Sequence, residues 1–183
     1  MIPPGSTGLP QPAPRARFVL FLLLWLALFV ALLSLYNYTY ESIAAVAVHH
    51  LQVRPAAALL GWTLPAEAVR AVGPTLESTG VRMTLIRGCD GVEAWLLLFT
   101  ALIAFPMPLR CRLTGLLWGT VMVFGLNLLR IVSLFHLVRV RPAWFETAHD
   151  LVWQSLMVAA IGCFAWLWMR DPAPSHSATE AAP

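Results

Sequence analysis

Long apolar runs separated by short polar segments dominate this chain of 183 residues. A transmembrane helix needs about 20 mostly apolar residues to cross a hydrocarbon core of about 30 Å. Three stretches clearly have this length, namely 18–35, 113–138 and roughly 148–169. A fourth run, 91–105, reaches about 20 residues if its helix begins near Arg87. The pattern predicts an all-α polytopic membrane protein with about four transmembrane helices.

Two shorter segments precede the second predicted span. Residues 41–60 are apolar at helical spacing, but two histidines, a glutamine and an arginine between positions 49 and 54 would be costly at mid-bilayer. We therefore expect an amphipathic helix along the outer membrane interface. Further on, Thr-Gly separates two short runs, and residues 81–86 favour extended structure. This pattern predicts a small outward β-hairpin.

The composition is that of a membrane protein, with 59% hydrophobic and 11% charged residues. The net charge is +3, but the 12 basic residues are arginines dispersed between apolar runs. The dense basic stripe of a nucleic-acid-binding surface is missing, so we expect no nucleic-acid partner. Proline-rich segments predict disordered tails at 1–17 and 171–183 around one membrane-embedded domain at 18–170.

Arginines near the ends of the spans predict the orientation, because basic residues accumulate in short cytoplasmic loops. Arginine pairs precede the first span, at positions 15 and 17, and follow the second, at 110 and 112. With four spans, 36–87 and 139–147 then face outward. Cys89 enters the second span from that side, Arg130 lies near the outer end of the third, and His149 opens the fourth. The three side chains are therefore predicted at one membrane face.

Arg130 lies within an apolar helix, where a charge costs several kcal/mol unless it faces the bundle interior and finds partners. Asn127 precedes it by one helical turn on the same face. This polar face indicates either a functional site or a structural arginine that only holds helices together. In the structural alternative Arg130 pairs with an acidic side chain, for which the candidates are Asp90, Glu93 and Asp150.

Cys89 lies in the sequence Arg-Gly-Cys-Asp-Gly at the start of the second predicted span. A helix N-terminus and a nearby arginine both favour thiolate over thiol, so we expect a lowered pKa for Cys89. His149 can supply or accept the proton. Each residue alone has a simpler explanation, as a small buried hydrophobe or an interfacial histidine. The convergence of three such residues from three helices favours a catalytic site.

Other candidate residues are weaker. Cys111 lies in the cytoplasmic connection and Cys163 within the last span, so we interpret both as packing or surface residues. The adjacent histidines at positions 49 and 50 point in different directions on a helix, which argues against a metal site. His136, near the outer end of the third span, remains an alternative to His149.

These residues resemble the exosortase/archaeosortase family of membrane transpeptidases. The family cysteine is followed by a polar residue, a glycine and, two residues further on, an acidic residue, which CDGVE at 89–93 matches. The family Asn-x-x-Arg motif matches NLLRI at 127–131, and the histidine that opens the next span corresponds to His149. The resemblance covers about residues 84–170. Larger members carry additional amino-terminal spans, so the chain is most similar to the compact exosortase H type.

The resemblance implies a cysteine transpeptidase that cleaves the carboxy-terminal tail of exported proteins. Such a tail has a recognition motif, one transmembrane helix and a basic cluster. Cys89 would form a thioester that a surface acceptor resolves, Arg130 would hold the thiolate or oxyanion, and His149 would transfer protons. Side chains around them would align these three; they are Glu93, Asn127 and Asp90.

The resemblance also implies a multi-pass protein of the bacterial cytoplasmic (inner) membrane, with its site facing outward and no metal or organic cofactor. Its partners would be tail-bearing exported proteins and the lipid bilayer. Two alternatives come from other classes. One is a non-enzymatic membrane scaffold subunit, and the other is a membrane thiol oxidoreductase, which needs a second cysteine on the same face as Cys89.

Overall fold

The computed structural model describes residues 14–170. The helices are α1 Pro14–Val48, α2 Arg54–Thr63, α3 Val92–Ala104, α4 Leu109–Val140 and α5 Gln154–Arg170, and the strands are β1 Arg70–Val72, β2 Thr75–Ser78 and β3 Val81–Thr84. Two π-helical turns, His49–Val53 and Thr147–Trp153, lead into α2 and α5. The predicted tails lie outside the described residues, except that 14–17 form the first turn of α1.

Three helical stretches are long and apolar enough to cross a membrane, namely Phe18–Ser42, Leu109–Val140 and Pro142–Arg170. They confirm the prediction of a helical membrane protein. The prediction of a helix of about 20 residues beginning near Arg87 is wrong, because α3 begins at Val92 and has 13 residues. A tight turn occupies the residues before it. At 1.5 Å per residue, α3 is about 20 Å long.

Tryptophan side chains fix how α3, α4 and α5 pass one another. The Trp95 indole N–H donates to the Thr120 hydroxyl at 2.8 Å, which joins α3 to α4. Trp168, near the end of α5, donates to the carbonyl oxygen of Cys111, near the start of α4, at 3.0 Å. Because α4 and α5 run antiparallel, the part of α4 that carries Arg130 lies beside the start of α5. An apolar core fills the space between these helices, formed by Leu98, Leu102, Val123, Met157, Ile161 and Ala165.

Residues 41–60 are helical, but they do not form a separate helix. The backbone keeps helical angles from α1 through the π-helical turn at 49–53 into α2. Gln52, one of the polar residues expected to be costly in lipid, is 0% exposed inside the protein. The segment packs against the sheet and α4 in a second apolar core, formed by Val48, Val53, Ala56, Leu60, Leu76, Leu85, Ile131 and Phe135. Its position along the membrane interface stays a prediction.

The predicted β-hairpin is part of a three-stranded antiparallel sheet with the order β1-β2-β3. β2 and β3 form the hairpin around the Thr-Gly dipeptide, with Ser78 opposite Val81. The additional strand β1 pairs with β2 across a turn at Gly73 and Pro74. The sequence did not predict β1 because a strand of three residues is too short to give an alternating pattern.

Candidate active site

Cys89 lies in the loop between β3 and α3, at the end of a tight turn. Its backbone N–H donates to the carbonyl oxygen of Ile86 at 3.0 Å. Gly88, inside this turn, has φ +83°, and Gly91, before α3, has φ +76°. Glycine adopts these angles without the steric cost that a side chain would add. The two glycines of the motif therefore bend the chain on both sides of Cys89.

Asp90 attaches this loop to the start of α3 and to α1. Its side chain is buried, and its Oδ1 accepts the backbone N–H of Val92 at 3.0 Å. Its other carboxylate oxygen accepts the hydroxyl of Tyr36 on α1. A carboxylate in this position satisfies a free donor and compensates the partial positive charge of the helix N-terminus. Asp90 therefore shapes the loop that presents Cys89.

Asn127 on α4 holds the same loop from the other side. Its Nδ2 donates to the backbone carbonyl oxygen of Cys89 at 3.2 Å. A Cβ atom at Gly91 would lie 3.0 Å from Asn127 Cγ, so a side chain at this position would push the amide away from the loop. Asn127 is fully buried and binds the backbone of Cys89, not its sulfur. The amide therefore aligns the cysteine.

Arg130 reaches both the sulfur and the imidazole. It is 4% exposed, and its Nη2 donates to His149 Nε2 at 3.0 Å and lies 4.0 Å from the Sγ of Cys89. Among residues 14–170, Arg130 forms no ion pair with a carboxylate, and its Nε is buried without a hydrogen-bond partner. Helix packing alone gives no reason to bury a guanidinium without a carboxylate. Its position instead suits an anion that forms at the cysteine.

His149 lies in the π-helical turn before α5, with Nε2 2.9 Å from the Sγ of Cys89. Its Nδ1 lies 2.5 Å from Oδ1 of Asp150. Because a guanidinium has donors only, the contact with Arg130 requires Nε2 to be an acceptor. The imidazole proton is therefore on Nδ1 and is donated to Asp150. Nε2 is therefore the unprotonated nitrogen, and both Arg130 Nη2 and the sulfur lie within reach of its lone pair.

Phe145 and Asp150 orient the imidazole ring. Phe145, one helical turn earlier, stacks on His149 with a centroid distance of 5.6 Å and an interplanar angle of 17°. The Asp150 side chain is 74% exposed, so water screens its charge and its main effect is on the tautomer and orientation of the ring. Sequence analysis considered Asp150 only as a partner for Arg130. Its position directly after His149 in the sequence could have identified it as a partner of the imidazole.

The sulfur and the imidazole open into a cleft of about 170 Å³. Arg130 lines this cleft and also a second one of about 180 Å³, which Glu93 and Gln154 line as well. The walls of the first cleft are mostly apolar and come from β3, the loop after it, α4 and the segment before α5; they include Met83, Thr84, Leu85, Ile86, Ile131, Leu134 and Phe145. These walls border the cleft into which the sulfur opens.

Burial raises the pKa of the Cys89 thiol above its ordinary value, and the nearby Arg130 guanidinium only partly offsets this rise. The carboxylate of Asp90 adds to the rise. The prediction of a lowered pKa is therefore wrong. Cys89 precedes α3 by three residues, and Asp90 already compensates that helix N-terminus. A thiol with a raised pKa gains from a nearby base such as His149 when it is to act as a nucleophile.

We expect the alkylation rate of Cys89 to rise with pH through a midpoint above that of a free cysteine, because thiolate is the reactive form. Arg130→Gln should move this midpoint higher still, since it removes the charge that lowers the pKa. The measurement is iodoacetamide labelling from about pH 6 to about pH 10 in a protein carrying Cys111→Ala and Cys163→Ala. A midpoint below that of free cysteine would contradict the buried-thiol description.

The structure separates the two histidine candidates. The Nε2 of His136 lies 3.1 Å from the hydroxyl of Thr63 on α2, whereas His149 faces the sulfur.

The structure also places the predicted residue Glu93. It lines the second cleft, and within the described range it makes no hydrogen bond to the other site residues. Tyr36 was not predicted as a site residue, because its contact with Asp90 joins residues 54 positions apart.

Comparisons with known proteins do not assign this chain. No family model matches it, and neither curated proteins nor solved structures give a match. A functional assignment therefore rests on the motifs of the sequence and on the distances between Cys89, Arg130 and His149.

Proposed function

We propose that the chain is a membrane cysteine transpeptidase of the exosortase type, similar to the compact exosortase H form. One observation carries this proposal. The Sγ of Cys89 lies 2.9 Å from Nε2 of His149, and Arg130 Nη2 lies 3.0 Å from the same nitrogen. A nucleophile within hydrogen-bond reach of a base, which a third group orients, is the arrangement of nucleophilic catalysis. The motifs that resemble the family assign roles to the same three residues.

The proposed reaction begins when a peptide bond enters the cleft. Nε2 of His149 takes the thiol proton as the sulfur of Cys89 attacks the carbonyl carbon, so that an S–C bond forms and the carbonyl electron pair moves onto oxygen. The C–N bond then breaks, and His149 gives its proton to the leaving amine. A thioester remains on Cys89. An amine or other acceptor attacks this thioester, and the sulfur leaves and regains a proton.

Charged side chains lie next to the thiolate and the imidazolium that form during this reaction. Proton transfer from Cys89 to His149 creates an anion between the imidazolium and Arg130, and Asp150 lies on the far side of the imidazolium. The Nε of Arg130 has a buried N–H without a partner among the described residues. We assign this group, with Nη2, to the oxyanion of the tetrahedral intermediate. A fixed donor in a site with little water stabilises such an anion more than water does.

The proposed substrates are exported proteins with a tail of recognition motif, transmembrane helix and basic cluster. The proposed topology has four spans in a bacterial cytoplasmic membrane, with α3 as the short second span and the site facing outward. Arg110 and Arg112 lie at the start of α4, at the end of the bundle away from Arg130. The positive-inside rule then supports an outward site. Local thinning of the bilayer accommodates a helix of about 20 Å.

The two alternative classes fit the site less well. A thiol oxidoreductase needs a second cysteine with a Cα–Cα distance of about 4.4–6.8 Å from Cys89. Cys111 lies more than five helical turns before Arg130 on the same helix, or about 28 Å away. Cys163 lies on α5, 14 residues after His149. A scaffold subunit needs no base beside a thiol.

The proposal is tested by co-expressing the chain with an exported protein that carries a tripartite tail. Membranes with and without the chain are compared by immunoblot and by mass spectrometry of the exported protein. We expect loss of the tail only where the chain is present. Retention of the intact tail for every exported protein with such a tail in the source organism would overturn the assignment.

A further inference from the structure

The free edge of β3 lies next to the cleft that contains the sulfur. In the order β1-β2-β3, β3 is an outer strand and pairs only with β2. Within residues 14–170, no backbone group pairs with its other side. An unpaired strand edge is a row of donors and acceptors that can bind another extended chain. Cys89 follows the end of β3 by five residues.

The register determines which groups of β3 face outward. The Leu85 N–H donates to the Pro74 carbonyl oxygen at 2.9 Å, so Leu85 faces β2. Hydrogen-bonded and non-bonded pairs alternate along antiparallel strands. Thr84, opposite Thr75, and Arg82, two residues earlier, therefore direct their backbone N–H and C=O groups away from β2. These groups form the free edge.

This edge, and not one face of the strand, forms a wall of the cleft. Met83 and Thr84 of β3 line it together with Leu85 and Ile86, which follow the strand, although the side chains of Met83 and Thr84 point to opposite faces of the sheet. Residues from both faces can line one cleft when the backbone edge between them borders it. The free donor and acceptor of Thr84 therefore lie at the cleft that leads to Cys89.

We propose that the substrate peptide binds as an additional strand on the free edge of β3, with backbone hydrogen bonds to Thr84 and Arg82. This inference rests on the proposed peptidase function and specifies how its substrate is held. Strand addition fixes the peptide backbone through main-chain bonds, while pockets read alternate side chains. The chain after Thr84 turns at Ile86 toward Cys89, so a peptide extending past Thr84 brings its carbonyl to the sulfur.

The binding mode also implies a class of peptide. Main-chain hydrogen bonds form regardless of most of the peptide's side chains. The walls beside the sulfur, however, are largely apolar, with Leu85, Ile131 and Leu134 among them. We therefore infer an extended segment with small or apolar side chains next to the scissile bond. Proline at the residue facing Thr84 would be excluded, since it has no N–H to donate.

One pair of substitutions isolates the backbone donor. Thr84→Pro removes the outward N–H but no bond to β2, and proline is tolerated at such an edge position. It also removes the side-chain hydroxyl, whose oxygen lies 3.0 Å from that of Thr75. Thr84→Val loses the same hydroxyl and keeps the N–H, so the difference between the two variants reports the N–H alone.

The measurement uses a peptide reagent that needs no sorting activity. Acetyl-Val-Ala-Ala chloromethyl ketone alkylates a cysteine by displacement of chloride, and iodoacetamide alkylates the same sulfur without a peptide backbone. Both rates are measured at Cys89 in membranes from proteins carrying Cys111→Ala and Cys163→Ala. The ratio of the two rates reports the contribution of peptide binding.

We expect Thr84→Pro to lower this ratio about tenfold, as one hydrogen bond of about 1.4 kcal/mol would. Thr84→Val should stay within about twofold of the parent, and iodoacetamide should react equally with all three. Equal ratios for Thr84→Pro and Thr84→Val, with equal iodoacetamide rates, would overturn strand addition. Unequal iodoacetamide rates would also count against strand addition, because the substitution would then change the reactivity of the Cys89 sulfur itself. The rate ratio could fall as expected while no tail is cleaved in the co-expression experiment. The proposed sorting function would then be wrong, and the proposed peptide-binding edge would still be supported.

Discussion

Cys89→Ala should abolish tail processing, with a loss of at least about 10³-fold. The proposed reaction has one nucleophile, the sulfur of Cys89, and an alanine side chain cannot form the thioester. Processing is measured as the fraction of exported protein that loses its tail in membranes, with the level of the enzyme confirmed by immunoblot. A trace of direct hydrolysis is the largest residual activity we expect.

The matched controls for this variant are the other two cysteines. Cys111→Ala and Cys163→Ala remove the same sulfur atom from α4 and α5 at positions away from the site. Both should process the tail within about twofold of the parent. Full processing by Cys89→Ala at an equal protein level would end the cysteine-peptidase assignment, and the scaffold alternative would replace it.

Arg130→Lys should lower processing by about 10²–10³-fold, although the positive charge is kept. Lysine lacks the planar fork of donors, and a single ammonium does not replace the separate N–H groups that face His149 Nε2 and the proposed oxyanion. Arg141→Lys is the matched control, because Arg141 directly follows the same helix and is exposed. It should leave processing unchanged.

His149→Ala should lower processing by about 10²–10⁴-fold and leave measurable turnover, because water partly replaces a proton carrier. The loss should shrink as the pH rises, since the thiol of Cys89, whose pKa is raised, then ionises without a base. His136→Ala, whose ring contacts Thr63, is the control. A His149→Ala variant as active as His136→Ala would remove the imidazole from the mechanism.

Much of the helical architecture could be predicted from sequence because the membrane imposes a simple rule of length and apolarity. Runs at 18–35 and 113–138 lie within the long helices Phe18–Ser42 and Leu109–Val140. Boundaries that depend on local hydrogen bonds were less predictable. α3 begins at Val92 because Asp90 accepts its N–H and the preceding turn is not helical, and no apolar pattern reports either contact.

The residues of the candidate site could be predicted from the sequence, but the direction in which the pKa of Cys89 shifts could not. The alternation of span directions was sufficient to expect Cys89, Arg130 and His149 at one end of the bundle, and the structure brings them within hydrogen-bond reach. The thiol pKa was predicted with the wrong sign, because sequence shows the neighbouring arginine but not the burial of the sulfur. Asp150 and Tyr36 require three-dimensional contacts to be identified.

The most direct test of the proposed mechanism is capture of the thioester on Cys89. Membranes containing the chain and a processed exported protein are quenched in acid, and the peptide that contains Cys89 is measured by mass spectrometry before and after neutral hydroxylamine. We expect an adduct on Cys89 with the mass of the amino-terminal fragment that ends at the scissile carbonyl, and we expect hydroxylamine to release it. Continued tail cleavage with an adduct on another residue, or with none on Cys89 when turnover is slowed by removal of the acceptor, would contradict the mechanism.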